Sequence, residues 1–336
     1  MFFLFTNMVF CDTIIQKGLL FCSKGEKMRF FVIIPLMLCA VAANAADDLS
    51  AAVGNARAAC GGIGGALDGM KTMAGINTAI TGVGTVAGGV ALGTGIAKSG
   101  VDSDIEDLEK QIEELRQRHS DTPIETLEIA DPSKLKQEQK ELLDEYHAIA
   151  DQKDIEEQKS KELGNWRTGS LAASSATNIA GAVIAGTNRV GGDLKSKISE
   201  CLESIKTLSA VRMQARISNT ATEPELARAE NIIKNCENWA TVDINSINNK
   251  SAGAAVSSGV GAGLGIAGTV TSASANSQSV RDGDVAREKN LNTAANVLAG
   301  GTTVASGVAT VFNATQINAI KRATTVAEAC ERALKQ

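Results

Sequence analysis

Leu49, Val53, Ala56, Cys60, Ile63, Leu67 and Met70 recur at alternating spacings of four and three. That rhythm holds one apolar stripe on one face of a helix. Carried forward, the same register reads Ala74, Asn77, Thr81, Gly84, Gly88, Ala91 and Gly95, so the stripe turns small and polar. A neighbouring row, Ile76, Ile80, Val83, Ala87 and Val90, stays apolar, and no charge falls between about 74 and 97. Small faces let helix backbones approach closely. The apolar row then needs a second partner, protein or lipid.

Between 101 and 163 the pattern changes. Ile105, Leu108, Ile112 and Leu115 form an apolar stripe inside a charged helix. Pro123 and Pro132 interrupt it, and Leu135, Leu142, Tyr146 and Ile149 mark the helix that returns. A proline break is where a helical hairpin turns. Folding the chain so that Cys60 meets Cys201 sets Leu115 opposite Tyr146, Ile112 opposite Ile149, Gly88 opposite Ala173 and Gly84 opposite Thr177.

The plan then repeats with a shorter tip. Gly253, Ser257, Gly261, Gly265 and Thr269 are each four apart. Pairing Cys236 with Cys330 sets Gly265 opposite Gly301, Gly261 opposite Ala305 and Ser257 opposite Ala309. It also puts the turn at Gly283, in Arg281-Asp282-Gly283-Asp284, a sequence rich in turn formers. Leu194, Ile198, Cys201, Ile205 and Leu208 continue one helix between the repeats, and Thr222-Glu223-Pro224-Glu225 opens the next with an N-cap and an early proline. Residues 260–266 also alternate glycine with apolar residues, which taken alone reads as a strand. The heptad flanks favour the helix.

The expected fold is therefore all-α: two tandem antiparallel helical hairpins with Gly/Ala-rich packing faces and a coiled-coil-like tip on the first. The first hairpin spans 46–217 with its tip at 101–163, and the second spans 218–336. Gly84, Gly88, Gly93, Gly181, Gly253, Gly261, Gly265, Gly301 and Gly307 are the expected close-packing positions. Of seven cysteines, Cys11, Cys22 and Cys39 fall in the N-terminal leader; the other four allow three disulfide connectivities, or four buried thiols, and the hairpin symmetry favours Cys60–Cys201 and Cys236–Cys330.

The N-terminal part reads differently. From Met28 it has the form of a secretory signal, with Arg29, an apolar run from Phe30 to Val41, and Ala43-Asn44-Ala45. Cleavage is expected between Ala45 and Ala46, and residues 1–27 read as a mis-assigned upstream extension. Export to an oxidising compartment, periplasmic or secreted, suits disulfides.

Charge and composition narrow the function. The chain carries 33 Lys and Arg against 38 Asp and Glu, formal net charge −5. That gives no basic footprint for nucleic acid. Residues 101–163 hold 20 acidic and nine basic residues, so the tip alone is net −11. After the leader only Tyr146, Trp166, Trp239 and Phe312 are aromatic, which is poor material for an enzyme pocket.

Candidate chemistry is thin. Gly263-x-Gly265-x-x-Gly268 spells a dinucleotide fingerprint but lies inside a glycine ridge without the strand it needs. Residues 93–99 lack the glycine spacing of a phosphate loop. His119 and His147, the only histidines, flank the tip loop among acids. No C-x-x-C or His/Cys spacing suggests zinc, so no catalytic, cofactor or metal residue is assigned. The expected function is that of an exported, non-enzymatic structural or interaction protein. It would self-associate, or bind another exported protein, through small helix faces and present the acidic tip. The alternative is a membrane-active protein whose uncharged stretches (about 74–97, 168–188, 251–280 and 290–320) enter a bilayer as anchor or pore. Each is long enough to span one, and Trp166 and Trp239 sit where charged and uncharged segments meet.

Overall fold

A computed structural model describes residues 48–119, 123–129, 131, 133–277, 280 and 285–336. The signal sequence, the Ala45–Ala46 junction, Pro132 and the Gly283 turn lie outside these. The fold is all-α. We label residues 48–60 α1, Ile63–Arg118 α2, Ile124–Glu128 α3, Gln137–Thr187 α4, Gly192–Ser218 α5, Glu223–Cys236 α6, Ile244–Ala275 α7 and Val285–Lys335 α8. A 3-10 turn, Glu237–Thr241, follows α6. The alternating stretch 260–266 is helical, inside α7.

Local chemistry explains the boundaries. Gly62 takes a left-handed φ of 80° between α1 and α2, a conformation that costs glycine little. Pro224 stands in the first turn of α6, and the Thr222 N–H donates to Glu225 Oε2 at 2.8 Å, closing a capping box. That bond and a second from the Thr222 hydroxyl hold the Glu225 carboxyl below its usual range. Asp243 caps α7 by accepting from the Ser246 N–H at 2.9 Å.

The helices pair as hairpins, α2 with α4 and α7 with α8. The chain divides into two compact units, and each draws on both hairpins. Of the described residues, unit 1 comprises those from 48 to Gly61, Ser196–Ala240 and Val326–Gln336, and unit 2 those within Gly62–Lys195 and Thr241–Thr325.

Unit 1 is small and apolar inside. Leu49, Ala56, Ile205, Leu208, Ile232 and Trp239 are buried. Disulfides join Cys60 to Cys201 and Cys236 to Cys330, the pairing that hairpin symmetry favours. The Arg57 guanidinium donates to the Leu334 carbonyl.

Unit 2 is a four-helix bundle of α2, α4, α7 and the first part of α8. α4 packs on both α2 and α7, while α8 meets α2 through buried side chains such as Asn313 against Asn77. Ala91, Leu171 and Ala299 form a small apolar cluster in its interior. Beyond the bundle, α2 and α4 continue as a paired extension. There Leu115, Ile124, Leu127 and Leu142 are buried together, with Tyr146 and Ile149 packed against them, as the predicted fold-back requires.

Candidate functional site

The expected glycines divide into contacts within a hairpin and contacts between hairpins. Gly84 lies against Thr177, the partner its register predicts. Gly253 lies against Phe312 and Gly301 against Leu264, both within the second hairpin. Gly88, Gly261 and Gly265 instead meet the other hairpin, at Thr303, Asn178 and Ser175 respectively, while Gly181 meets both, Thr81 of its own hairpin most closely and Ser258 of the other. The pairings of Gly88 with Ala173, Gly261 with Ala305 and Gly265 with Gly301 thus give way to cross-hairpin contacts. The physical reason is that a missing Cβ admits a polar side chain from a neighbouring helix, and the bundle supplies one. Gly307 makes only an ordinary contact, 4.0 Å from Thr85.

Gly93, expected at a packing face, is exposed, and a Cβ added there would meet nothing within 4 Å. Two residues on, Gly95 continues the inward row Gly84, Gly88, Ala91 and lies against Asn296 and Arg167. Gly164 against Asn276 and Gly268 against Leu171 and Leu298 are further close approaches. Heptad register alone would have found Gly95. Gly164 sits inside a charged stretch, where no small-residue signal marks it. In α7 the buried row is Ser251, Ala254, Ser258, Gly261, Gly265, Gly268 and Ser272, a heptad seam rather than a strict four-residue ridge.

The bundle interior is polar. Asn77 Nδ2 donates to Asn313 Oδ1 at 2.9 Å, and Thr310 Oγ1 bonds Thr81 Oγ1 at 3.1 Å. Asn178 Nδ2 donates to Ser306 Oγ at 2.8 Å, and Ser174 Oγ donates to the Gly84 carbonyl at 2.7 Å. At one end Ser251 Oγ and Gln316 Nε2 both donate to the Asn188 carbonyl at 3.0 Å. At the other, Arg167, fully buried, donates Nε to Ser272 Oγ at 2.8 Å and Nη2 to Asn292 Oδ1 at 2.7 Å. Beside it Lys98, 1% exposed, bridges Asp102 at 2.8 Å and Glu288 at 3.0 Å. Asp102 also accepts from Ser160 Oγ at 2.6 Å and Asn292 Nδ2 at 3.1 Å.

The bundle exterior is apolar. Val83, Val86, Val90 and Ile96 on α2, Ile179 and Val183 on α4, Val256, Val260, Ile266 and Val270 on α7, and Val297, Val304 and Val311 on α8 are all exposed. Val86 is 68% exposed and Val297 70%. No Asp, Glu, Lys or Arg interrupts 74–97, 168–188, 251–280 or 290–320. At ~1.5 Å per residue each run reaches about 30 Å or more, the thickness of a bilayer's hydrocarbon core. Helical segments 48–118, 223–275 and 286–335 are apolar and long enough to cross a membrane, with 28%, 33% and 28% of their apolar windows buried. α4, richer in Ser, Thr and Asn, is not among them.

The remaining candidates separate cleanly. Trp166 is 68% exposed at the edge of the uncharged run 168–188, while Trp239 is buried in unit 1. His147 stacks edge-on with Tyr146, ring centroids 5.8 Å apart. A cleft lined by Asp102, Glu106, Glu109, Glu157, Glu288 and Lys289 opens where bundle and extension meet. Its acids already face ammonium groups: Lys98, Lys153 against Glu109 and Glu157, and Lys289 against Glu106. Among the described residues, the one cluster of His, Cys, Asp or Glu close enough to share an ion is Cys60, Cys201 and Cys330.

Comparison with protein-family models, with curated proteins and with solved structures gives no match.

Proposed function

We propose that the chain is an exported, non-enzymatic membrane anchor whose unit 2 sits in a lipid bilayer as a four-helix bundle, carrying the acidic paired extension into water. One observation carries this reading: the bundle is inverted. Its hydrogen-bonding and charged groups point inward, and its β-branched aliphatics point outward on all four helices. In water that distribution is costly twice over. The exposed aliphatics form an apolar surface far beyond scattered single residues, and the interior gives up the burial that stabilises soluble bundles. In lipid both terms change sign. The outer surface is solvated by acyl chains, and inward Asn, Ser and Thr bond helix to helix where water is absent. Trp166 fits the interfacial level at which amphipathic rings concentrate.

An anchor suits the interior better than a pore. Side chains fill the space at Gly88, Gly95, Gly181 and Gly265, and the ionic groups at the extension end are paired with one another. Small-residue assembly, expected to join separate molecules, is spent largely on joining the two hairpins of one chain. A partner of the acidic extension, another exported protein with a basic face, remains part of the proposal.

The test is fractionation of expressing cells followed by alkaline carbonate. Membrane retention through carbonate and release by detergent is the expected result. Placing lysines at Val86, Val297 and Val304 together should shift the protein towards the carbonate-soluble fraction, since each charge in the hydrocarbon costs about 2.5–3.5 kcal/mol. A wild-type chain that stays monodisperse and soluble without detergent would refute the reading.

A further inference from the structure

We propose that the four cysteines of unit 1 are also a metal site under redox control: with both disulfides reduced, Cys60, Cys201, Cys236 and Cys330 bind one zinc-like divalent ion through four thiolates. This inference concerns unit 1 alone and does not depend on the membrane reading.

The geometry is the starting point. Each cysteine comes from a different helix: Cys60 from α1, Cys201 from α5, Cys236 from α6 and Cys330 from α8. All four are buried. Two independent staples would need only pairwise proximity. Instead, the Sγ atoms of Cys60, Cys201 and Cys330 lie within 4.8 Å of one another, and the fourth sulfur is bonded to Cys330. The Cys236 sulfur therefore borders the three-sulfur cluster, one S–S bond beyond it. A tetrahedral zinc–thiolate site has Zn–S bonds of about 2.3 Å, hence sulfur–sulfur edges of about 3.8 Å. Three of the four sulfurs already lie on about that scale, so reduction, rotation of the Cys236 side chain and small helix shifts would complete a four-thiolate shell around an ion. No local sequence spacing announces the site, because its ligands are brought together by packing.

The surroundings suit the charge. Four thiolates around a divalent ion carry a net charge of −2. Arg57, one turn before Cys60, places its guanidinium on the carbonyl of Leu334, one turn after Cys330. That cation borders the two helices that supply Cys60 and Cys330 and would offset part of the charge, as outer groups do at metal–thiolate centres.

The chemistry balances. Each disulfide takes two electrons and two protons from a thiol or phosphine reductant, which is itself oxidised, and yields two thiols. Binding the ion displaces four thiol protons to solvent, so affinity rises with pH. Re-oxidation by dioxygen, which takes four electrons from the four thiolates and with four solvent protons becomes two waters, restores both S–S bonds and releases the ion. In either state the same helices stay tied, covalently or by coordination.

The test uses the full chain, reduced anaerobically with a phosphine and titrated with Zn2+ and then Co2+. The expected result is one zinc per chain retained through desalting, with a higher melting temperature than the reduced, metal-free chain. The cobalt form should show thiolate charge-transfer and tetrahedral d–d absorption, and air oxidation should release the metal. The paired variant Cys60→Ser with Cys201→Ser, whose folding is checked before reduction with Cys236–Cys330 intact, should retain no zinc once reduced. Equal zinc retention by that variant, or binding that leaves the melting of the reduced wild-type chain unchanged, would overturn the proposal. So would a reduced wild-type chain that retains no metal.

Discussion

At the scale of single residues, glycine does two different jobs that a glycine count conflates. Gly181 and Gly265 lie where a neighbouring helix's side chains occupy the space a Cβ would need. Gly93 faces open space. Gly181→Leu and Gly265→Leu should each cost ~1–3 kcal/mol or more, since overpacking a close helix contact displaces backbone. Gly93→Leu should be neutral or stabilising by a few tenths of a kcal/mol, because it removes a helix-interior glycine without a clash. Thermal unfolding of the three detergent-solubilised variants separates the two classes; equal melting of all three would mean the inward glycine faces are not in contact. The inward row was legible in the heptad register from Ala74 to Gly95. The identity of each glycine's neighbour was not, because it depends on which helices share the bundle.

At the scale of elements, the polar bonds pin particular helices together. Lys98 on α2 holds Glu288 on α8 and Asp102 one turn along its own helix. Removing one member of such a buried network strands the others. Lys98→Met should therefore destabilise the bundle by about 3–5 kcal/mol. Neutralising its partners in the same chain, with Asp102→Asn and Glu288→Gln, should recover part of that loss. A double-mutant analysis of unfolding in detergent reads the coupling; strictly additive losses would show that the groups do not act together. In the sequence Lys98 simply ends an uncharged run. Its burial follows only once α8 is laid against α2.

At the scale of the molecule, unit 2 combines a charge-free bundle with an acidic extension that has its own small core around Leu115, Ile124, Leu127 and Leu142. The two parts make separable contributions. Replacing residues 104–158 with a short Gly/Asn turn should leave carbonate-resistant membrane retention unchanged, because the apolar belt and the inward bonds lie outside that stretch. The melting of the remaining bundle should move by less than about 0.5 kcal/mol equivalent. Loss of membrane retention in that deletion would instead assign the anchoring to the extension.

The sequence by itself determined the helical class, the hairpin pairing of the helices, the favoured pairing of the cysteines and the uncharged stretches. All of these are properties of spacing along one chain: a period of three and four, a proline break, a matched pair of small faces. The tertiary structure alone decided that the two hairpins share one bundle, and so which neighbour each inward residue meets. That choice turned a set of glycine ridges into a polar interior with an aliphatic exterior. It also set two disulfides, whose cysteines are 35 to 141 positions apart along the chain between neighbours or partners, side by side. Both outcomes arise because helix periodicity fixes which residues lie together on a face, whereas the partner that a face meets is chosen by the free energy of the whole packed assembly.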